Sequence, residues 1–239
     1  MKGDEKRDYV HKMFSRISRR YDLMNTLMTL GRDSSWRDLA AEQATYGLCG
    51  PALDVGTGTG ELALALSRQP STTDVIGIDL LESMISLAKQ KLNTNETKIT
   101  FMTGDALSLP FPDNTFACVT SGFILRNVPD LEASLREMLR VVKPSGRILS
   151  LETMDSSNPV LRPITKSLFR IVVPLLGFFV AGDYSAYRYL PKSVDSFLSH
   201  KELLDLFSSI GLVNLGHRSL ALGTIHLHWG TKPEDSLIT

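Results

Sequence analysis

Residues Leu53-Asp54-Val55-Gly56-Thr57-Gly58-Thr59-Gly60 carry an apolar run into a glycine-rich turn, and the apolar stretch 62–68 that follows reads as a helix. Glycine belongs where the backbone must bend sharply and let a ligand lie against it with no Cβ in the way. Such a strand–turn–helix unit opens many nucleotide-binding α/β folds. The rival reading is the dinucleotide fingerprint GxGxxG, which places a pyrophosphate on the helix N-terminus. Here the third glycine comes one residue early and Glu61 fills its slot. An acid beside a pyrophosphate is unfavourable, so the turn points to a nucleoside ligand without phosphates, beside which Asp54 is acceptable and even helpful.

Two further positions extend the pattern. Asp79 ends the next apolar run, 19 residues after Gly60, where a carboxylate can accept hydrogen bonds from both ribose hydroxyls; read alone it could also cap the helix that follows. Gly104-Asp105-Ala106 closes the third run, with Asp105 placed for an adenine amino group and Ala106 leaving room for the base, although an aspartate there could simply serve the turn. A glycine turn after strand one, an Asp after strand two and an Asp after strand three form, in that order, the pattern of class I methyltransferases. The expected cofactor is S-adenosyl-L-methionine, whose sulfonium and ammonium tolerate acidic neighbours.

The rest of the chain fits one elaborated α/β domain of 239 residues. Strands are read at 52–55, 75–78, 99–102, 116–120 and 148–151, with helices at 62–68, 83–92 and 131–142 between them. Leu131, Leu135, Met138, Leu139 and Val142 share one helical face. Lys143-Pro144-Ser145-Gly146 reads as the stop between that helix and the next strand. Alternating strands and helices imply right-handed βαβ units and a Rossmann-like, mostly parallel seven-stranded sheet flanked by helices. The segments expected are an N-terminal helical segment (1–48), the cofactor-binding core (49–153), a helical lid insertion (154–195), and a C-terminal helix with the last strands (196–232), with a disordered tail after Lys232. Helix 200–210 and strands 212–215 and 224–229 are read in the last segment.

Composition excludes several classes. Twenty-six basic and 26 acidic side chains cancel, against a general nucleic-acid binder. Residues 1–20 carry seven Lys/Arg against three Asp/Glu, which reads as a solvated helix face. Cys49 and Cys118 lie far apart, so a reducing cytoplasm is expected. The greasiest stretch, 171–181, is interrupted by Pro174 and Gly177 and reads as too short to span a bilayer. His226 and His228 share a strand face by alternation. No third ligand stands at a suitable spacing, so no metal is expected.

The chain also resembles the ubiquinone/menaquinone biosynthesis C-methyltransferases, from about Phe14 to Lys232. The resemblance rests on Tyr21-Asp22-Leu23-Met24-Asn25 with Trp36, on 107–116, on Leu125-Arg126-Asn127-Val128-Pro129-Asp130, on 140–146 with Leu151-Glu152, on 187–194, and on the closing His228, Gly230 and Lys232. It departs at Thr29 and Asp33 (Ser and His in the family), Ser145 and Met154 (Gly and Ser), and Ile124 and His226 (small residues). The resemblance implies cofactor contacts at Thr59, Asp79, Asp105, Ala106 and a Ser121–Gly122 turn. With the turn residues Asp54, Gly56, Gly58 and Gly60, and with Leu80 and Met84 beside Asp79, these complete the expected cofactor site.

The implied reaction methylates a ring carbon of a polyprenylated quinol precursor, demethylmenaquinol foremost. Arg126, just after strand four, is the expected partner of the phenolate, with Asn127 orienting a water or the ring oxygen. Asp22 and Asn25 are expected to close over the site, and Tyr187 and Tyr189 to line the lid. The alternatives are a methyltransferase of the same fold with another small-molecule acceptor, a non-catalytic cofactor-binding homologue, and, more distantly, an NAD-dependent oxidoreductase. Expected partners are the quinol with its isoprenoid tail, the inner membrane face as a peripheral contact, and a second copy in a homodimer. The apolar segment 161–180 reads either as core or as a groove for the tail.

Overall fold

The seven strands are β1 (Gly50–Val55), β2 (Thr72–Asp79), β3 (Ile99–Thr103), β4 (Phe116–Gly122), β5 (Val142–Thr153), β6 (Val213–Leu220) and β7 (Ile225–Thr231). In this computed structural model, which describes residues 4–92, 98–156, 158 and 160–234, they form one sheet in the order β3-β2-β1-β4-β5-β7-β6. β1 to β5 are mutually parallel, and β7 runs antiparallel between β5 and β6. Because β1 is flanked by β2 on one side and β4 on the other, the loops leaving their carboxyl ends diverge and open a crevice there.

Both faces of the parallel strands are covered, which is why β1 buries Ala52, Leu53 and Val55 in succession. Helices α3 (Asp33–Thr45), α4 (Glu61–Ser67) and α5 (Glu82–Lys91) close one face, packing Ala40, Ala41, Ala44, Leu62, Leu66 and Ile85. Helices α6 (Leu131–Val141) and α9 (His200–Ser209) close the other with Leu135, Met138, Leu203 and Phe207. Asp130 caps α6 by accepting from the Ala133 N–H at 3.0 Å, and Ser199 with Glu202 forms a capping box on α9.

A third cluster lies above the crevice. Here α1 (Asp4–Ile17) and α2 (Tyr21–Thr29) meet the lid helices α7 (Leu161–Leu176) and α8 (Tyr184–Asp195) through Met13, Ile17, Met24, Val173, Ala186 and Tyr187. The N-terminal segment is therefore helical, as read, and belongs to the roof of the site.

The structure corrects several sequence boundaries. β5 begins at Val142, so Lys143–Gly146 lies inside the strand, and the irregularity shows as a register shift against β4 between Phe116 and Cys118. β6 runs to Leu220, well past residue 215. Pro174 does not interrupt α7, which continues through it into a π-helical turn at Gly177–Ala181. A Cβ at Gly177 would fall 2.4 Å from Tyr187 ring atoms, so this glycine permits close packing of α8. Leu161–Val180 is thus one helix that is long and apolar enough to cross a membrane, with mean hydropathy 1.5 and 17% buried. Of the tail read as disordered after Lys232, Pro233 and Glu234 are ordered, with Glu234 accepting from Ser145 Oγ at 2.9 Å, and residues 235–239 lie outside the described residues.

Candidate active site

The glycine turn follows from β1. Gly56, Gly58 and Gly60 all take positive φ (67°, 55° and 86°), a region costly for residues with a Cβ. A Cβ on Gly56 would lie 2.0 Å from Ile124 Cδ1 and one on Gly60 2.5 Å from Phe101 Cζ, whereas Gly58 faces open space. Two of these glycines serve packing, and Gly58 presents bare backbone to the crevice. Asp54 lies beneath the turn, fully enclosed, accepting from Thr57 Oγ1 at 2.7 Å and Thr120 Oγ1 at 2.9 Å. Burial pushes its carboxyl up to about 6, against the lowering effect of those two bonds.

Asp79 ends β2, as its spacing predicts. Its Oδ2 accepts from the Gly58 N–H at 2.8 Å and its Oδ1 from the Leu81 N–H at 2.9 Å. Each oxygen keeps a lone-pair direction for a further donor. Burial raises its pKa, against the lowering effect of those bonds. Asp105 follows β3, accepts from the Leu107 N–H at 3.0 Å, and pairs with Arg7 of α1 at 3.0 Å. Gly56, Gly58, Asp79, Leu80, Met84, Asp105, Ala106 and Gly122 line one cavity, roofed by Arg7, Val10, His11 and Phe14 of α1.

Of the predicted cofactor residues, Asp54, Thr59, Gly60 and Ser121 do not line it. Ser121 and Gly122 are the last residues of β4 and form no turn, and the Ser121 hydroxyl is buried and unpartnered. Gly60 packs under the turn. Thr59 is buried and donates to Asp22 Oδ1 at 2.5 Å, while Asp22 Oδ2 and Glu61 both pair with Lys91 at 2.6 Å. Asp22 therefore fastens α2 to the glycine turn and faces neither cavity.

A second cavity of about 470 Å³ adjoins the first, within the ~300–1,000 Å³ common for small-molecule sites. Phe14, Tyr21, Phe123 and Asn127 line both. Its walls come from α1, α2, the lid helices and the loop after β4, and include Arg126, Tyr187, Tyr189 and Asn25. Arg126 is 7% exposed; its Nη1 donates to Glu152 at 2.7 Å, and its Nε is buried without a partner. Glu152 also accepts from the Leu125 N–H at 2.7 Å. Burial raises the Glu152 pKa, with Arg126 opposing. Asn127 accepts from Tyr189 Oη at 3.2 Å and donates to the Phe123 carbonyl at 3.3 Å. The Tyr187 hydroxyl is buried and unpartnered, and desolvation holds it in the protonated form.

Sequence reasoning missed Arg7, Phe14, Tyr21, Phe123 and Glu152 as site elements. Phe123 sits at φ 61°, an uncommon conformation for a bulky residue and the sort of strain found at functional sites. The Arg126 guanidinium lies 5.8 Å from its ring centroid, within cation–π range. Of the departures, Thr29, Asp33 and Met154 line the second cavity. There Thr29 Oγ1 donates to Asp33 at 3.0 Å, and Asp33 pairs with Arg37.

A sheet of this order, with bare glycine backbone at the switch point and carboxylates at the end of β2 and after β3, fits an adenosyl cofactor and marks an S-adenosylmethionine-dependent methyltransferase. The Thermotoga maritima S-adenosylmethionine-dependent methyltransferase described as a possible histamine N-methyltransferase shares the fold, with TM-score 0.67 at 18% identity over 93% of this chain and 99% of that one. A model of the ubiE/COQ5 methyltransferase family matches residues 1–232. The chain is 41% identical to the ubiquinone/menaquinone biosynthesis C-methyltransferase UbiE of Desulfotalea psychrophila, over 93% of this chain and 90% of that one. It is 38% identical to the demethylmenaquinone methyltransferase of Roseiflexus castenholzii, over 96% and 95%. The chain belongs to the ubiE/COQ5 methyltransferase family.

Proposed function

We propose that the protein methylates a ring carbon of a polyprenylated quinol, converting demethylmenaquinol to menaquinol. The observation that carries this reading is the apolar cavity holding Arg126, which shares Asn127 and Phe123 with the cofactor cavity. The names of the relatives above support the same acceptor class.

The cofactor supplies an electrophilic methyl group on sulfur. Gly58, Asp79, Asp105, Leu80, Met84 and Ala106 would hold it. The ring carbon beside a quinol hydroxyl becomes nucleophilic when that hydroxyl loses its proton. The methyl group would pass from the cofactor's sulfur to that carbon, and the ring hydrogen would leave as a proton when aromaticity returns. Arg126, its guanidinium held by Glu152 and always charged, stabilises the phenolate. Asn127, oriented by Tyr189, positions the ring oxygen or a water that takes the proton. Much of the rate gain is positioning. Calorimetric binding of S-adenosylmethionine, followed by methyl transfer to a reduced short-tail demethylmenaquinone, tests the proposal; binding without transfer would move the search to acceptors fitted to Thr29, Asp33 and Met154.

We further propose that α7 lies on the membrane surface where such acceptors reside. Ile164, Leu168, Ile171, Leu175, Phe178 and Phe179 are all exposed and recur at helical spacing. The same helix is tied to the segment after β5 by the Arg162–Asp155 pair and to α8 by Lys166–Asp195 and Arg170–Asp195, which favours lying on the surface over spanning it. Changing Ile164, Ile171, Leu175 and Phe179 together to Ser is expected to weaken co-sedimentation with anionic vesicles by about 10²-fold or more, since each buried apolar side chain contributes ~1.5–3 kcal/mol. Transfer to a tail-less acceptor should persist. Undiminished vesicle binding would remove α7 from the membrane contact.

A further inference from the structure

Four of the chain's five histidines gather at the antiparallel edge of the sheet, and none of the four lines either cavity. His228 of β7 stands opposite His217 of β6 in register, and His226 lies two residues before His228 on the same face. One ligand atom from each of the three lies within 4.8 Å of the others. The ring of His200, the first residue of α9, stacks on His217 at 4.7 Å between centroids.

The hydrogen bonding leaves these rings ready to act as ligands. His226 Nε2 lies 2.8 Å from the Gly223 carbonyl, which only accepts, so Nε2 carries the proton and Nδ1 is bare. His217 Nε2 sits 2.7 Å from that bare nitrogen. His228 is fully buried with neither ring nitrogen in a full hydrogen bond, only the His200 backbone lying near it, and His200 Nδ1 is likewise buried and unpartnered. Buried polar atoms are normally satisfied, so three orphaned imidazole nitrogens in one cluster call for an occupant. Among the described residues no carboxylate forms an ion pair with the cluster, and the one hydrogen bond between rings, His217 to His226, does nothing for His228 or for His200 Nδ1.

We propose that His217, His226 and His228 form a binding site for a divalent transition metal of the zinc class, with His200 or water completing the shell. An ion about 2.0–2.1 Å from each of three nitrogens sets them about 3.3 Å apart, between the 2.7 Å of the closest pair and the 4.8 Å limit of the set. Three imidazoles with a fourth position free suit Zn²⁺. The Gly223 carbonyl plays the part that outer-sphere partners play for metal-bound histidines, fixing the tautomer and the ring. In register His226 pairs with Glu152, the residue that holds Arg126, so an occupied site would stiffen the strand behind it.

The test is calorimetric titration of the chelator-treated full chain with Zn²⁺, repeated for His226→Ala, His217→Gln and His11→Ala. The expected result is one ion per wild-type chain, with affinity lowered in the first two variants by at least the ~10–100-fold typical of lost outer-sphere partners, and unchanged in His11→Ala. His217 is only half-buried, so His217→Gln keeps the comparison valid if His226→Ala fails to fold. No stoichiometric binding by the wild type, or equal affinity in His217→Gln, would overturn the site and leave a stack of neutral imidazoles.

Discussion

Arg126→Ala is expected to lower methyl transfer by about 10²-fold or more, the scale of losing one transition-state donor, while S-adenosylmethionine affinity stays unchanged. The reason is position: Arg126 lines the acceptor cavity and is absent from the lining of the cofactor cavity. The same substitution has a second consequence. Glu152 is fully buried, and Arg126 is the charge that opposes the burial-driven rise of its pKa. Without the guanidinium, the folded-state pKa of Glu152 rises further above its unfolded value near ~4.3. The variant's stability deficit is therefore smallest below that unfolded value and grows as pH rises through the raised folded pKa. Breaking a buried pair by removing one partner costs ~3–5 kcal/mol, so the deficit should be visible in denaturant titrations. Arg126→Ala combined with Glu152→Gln should regain much of that stability, and flatten its pH dependence, without regaining turnover. Near-normal turnover in Arg126→Ala would remove this residue from the mechanism.

Asp79→Ala should act on the other cavity. Its carboxylate holds the Gly58 and Leu81 N–H groups and has lone pairs left for two ribose hydroxyls. Hydrogen bonds to a charged group contribute ~1.5–3 kcal/mol each, so losing two predicts a fall in cofactor affinity of about 10²-fold or more. Removing the acceptor also leaves the Gly58 N–H unpaired at the turn, which acts in the same direction. Calorimetric titration with S-adenosylmethionine measures this directly. Turnover at saturating cofactor should recover most of its wild-type value, which separates Asp79 from Arg126. Unchanged affinity would show that the ribose does not sit on Asp79.

The two substitutions also mark what was legible in the sequence. Asp79, Asp105, Ala106 and the glycines were readable because each sits at the end of a parallel strand, and parallel strands deliver their carboxyl ends to one edge of a sheet. The parallel sheet, the helical faces and the adenosyl cofactor follow from that local pattern. Thr59 and Asp22 were drawn to the site by pattern or resemblance, and the structure fastens them to each other.

What the sequence determined by itself is therefore the strand–turn–helix chemistry: glycines at positive φ, carboxylates at strand ends, and an apolar periodicity that buries both faces of the sheet. Only the tertiary structure decided that α1 lays Arg7 and Phe14 over the cofactor cavity, that Glu152 grips Arg126 from 26 residues away, and that His217 and His200 join His226 and His228. The physical reason is that local pattern sets backbone conformation within a few residues, whereas these contacts depend on antiparallel register and on how helices pack across the sheet. His217 and His228 stand opposite each other because β6 and β7 pair in one register, and a slip of one residue would turn one of them to the other face.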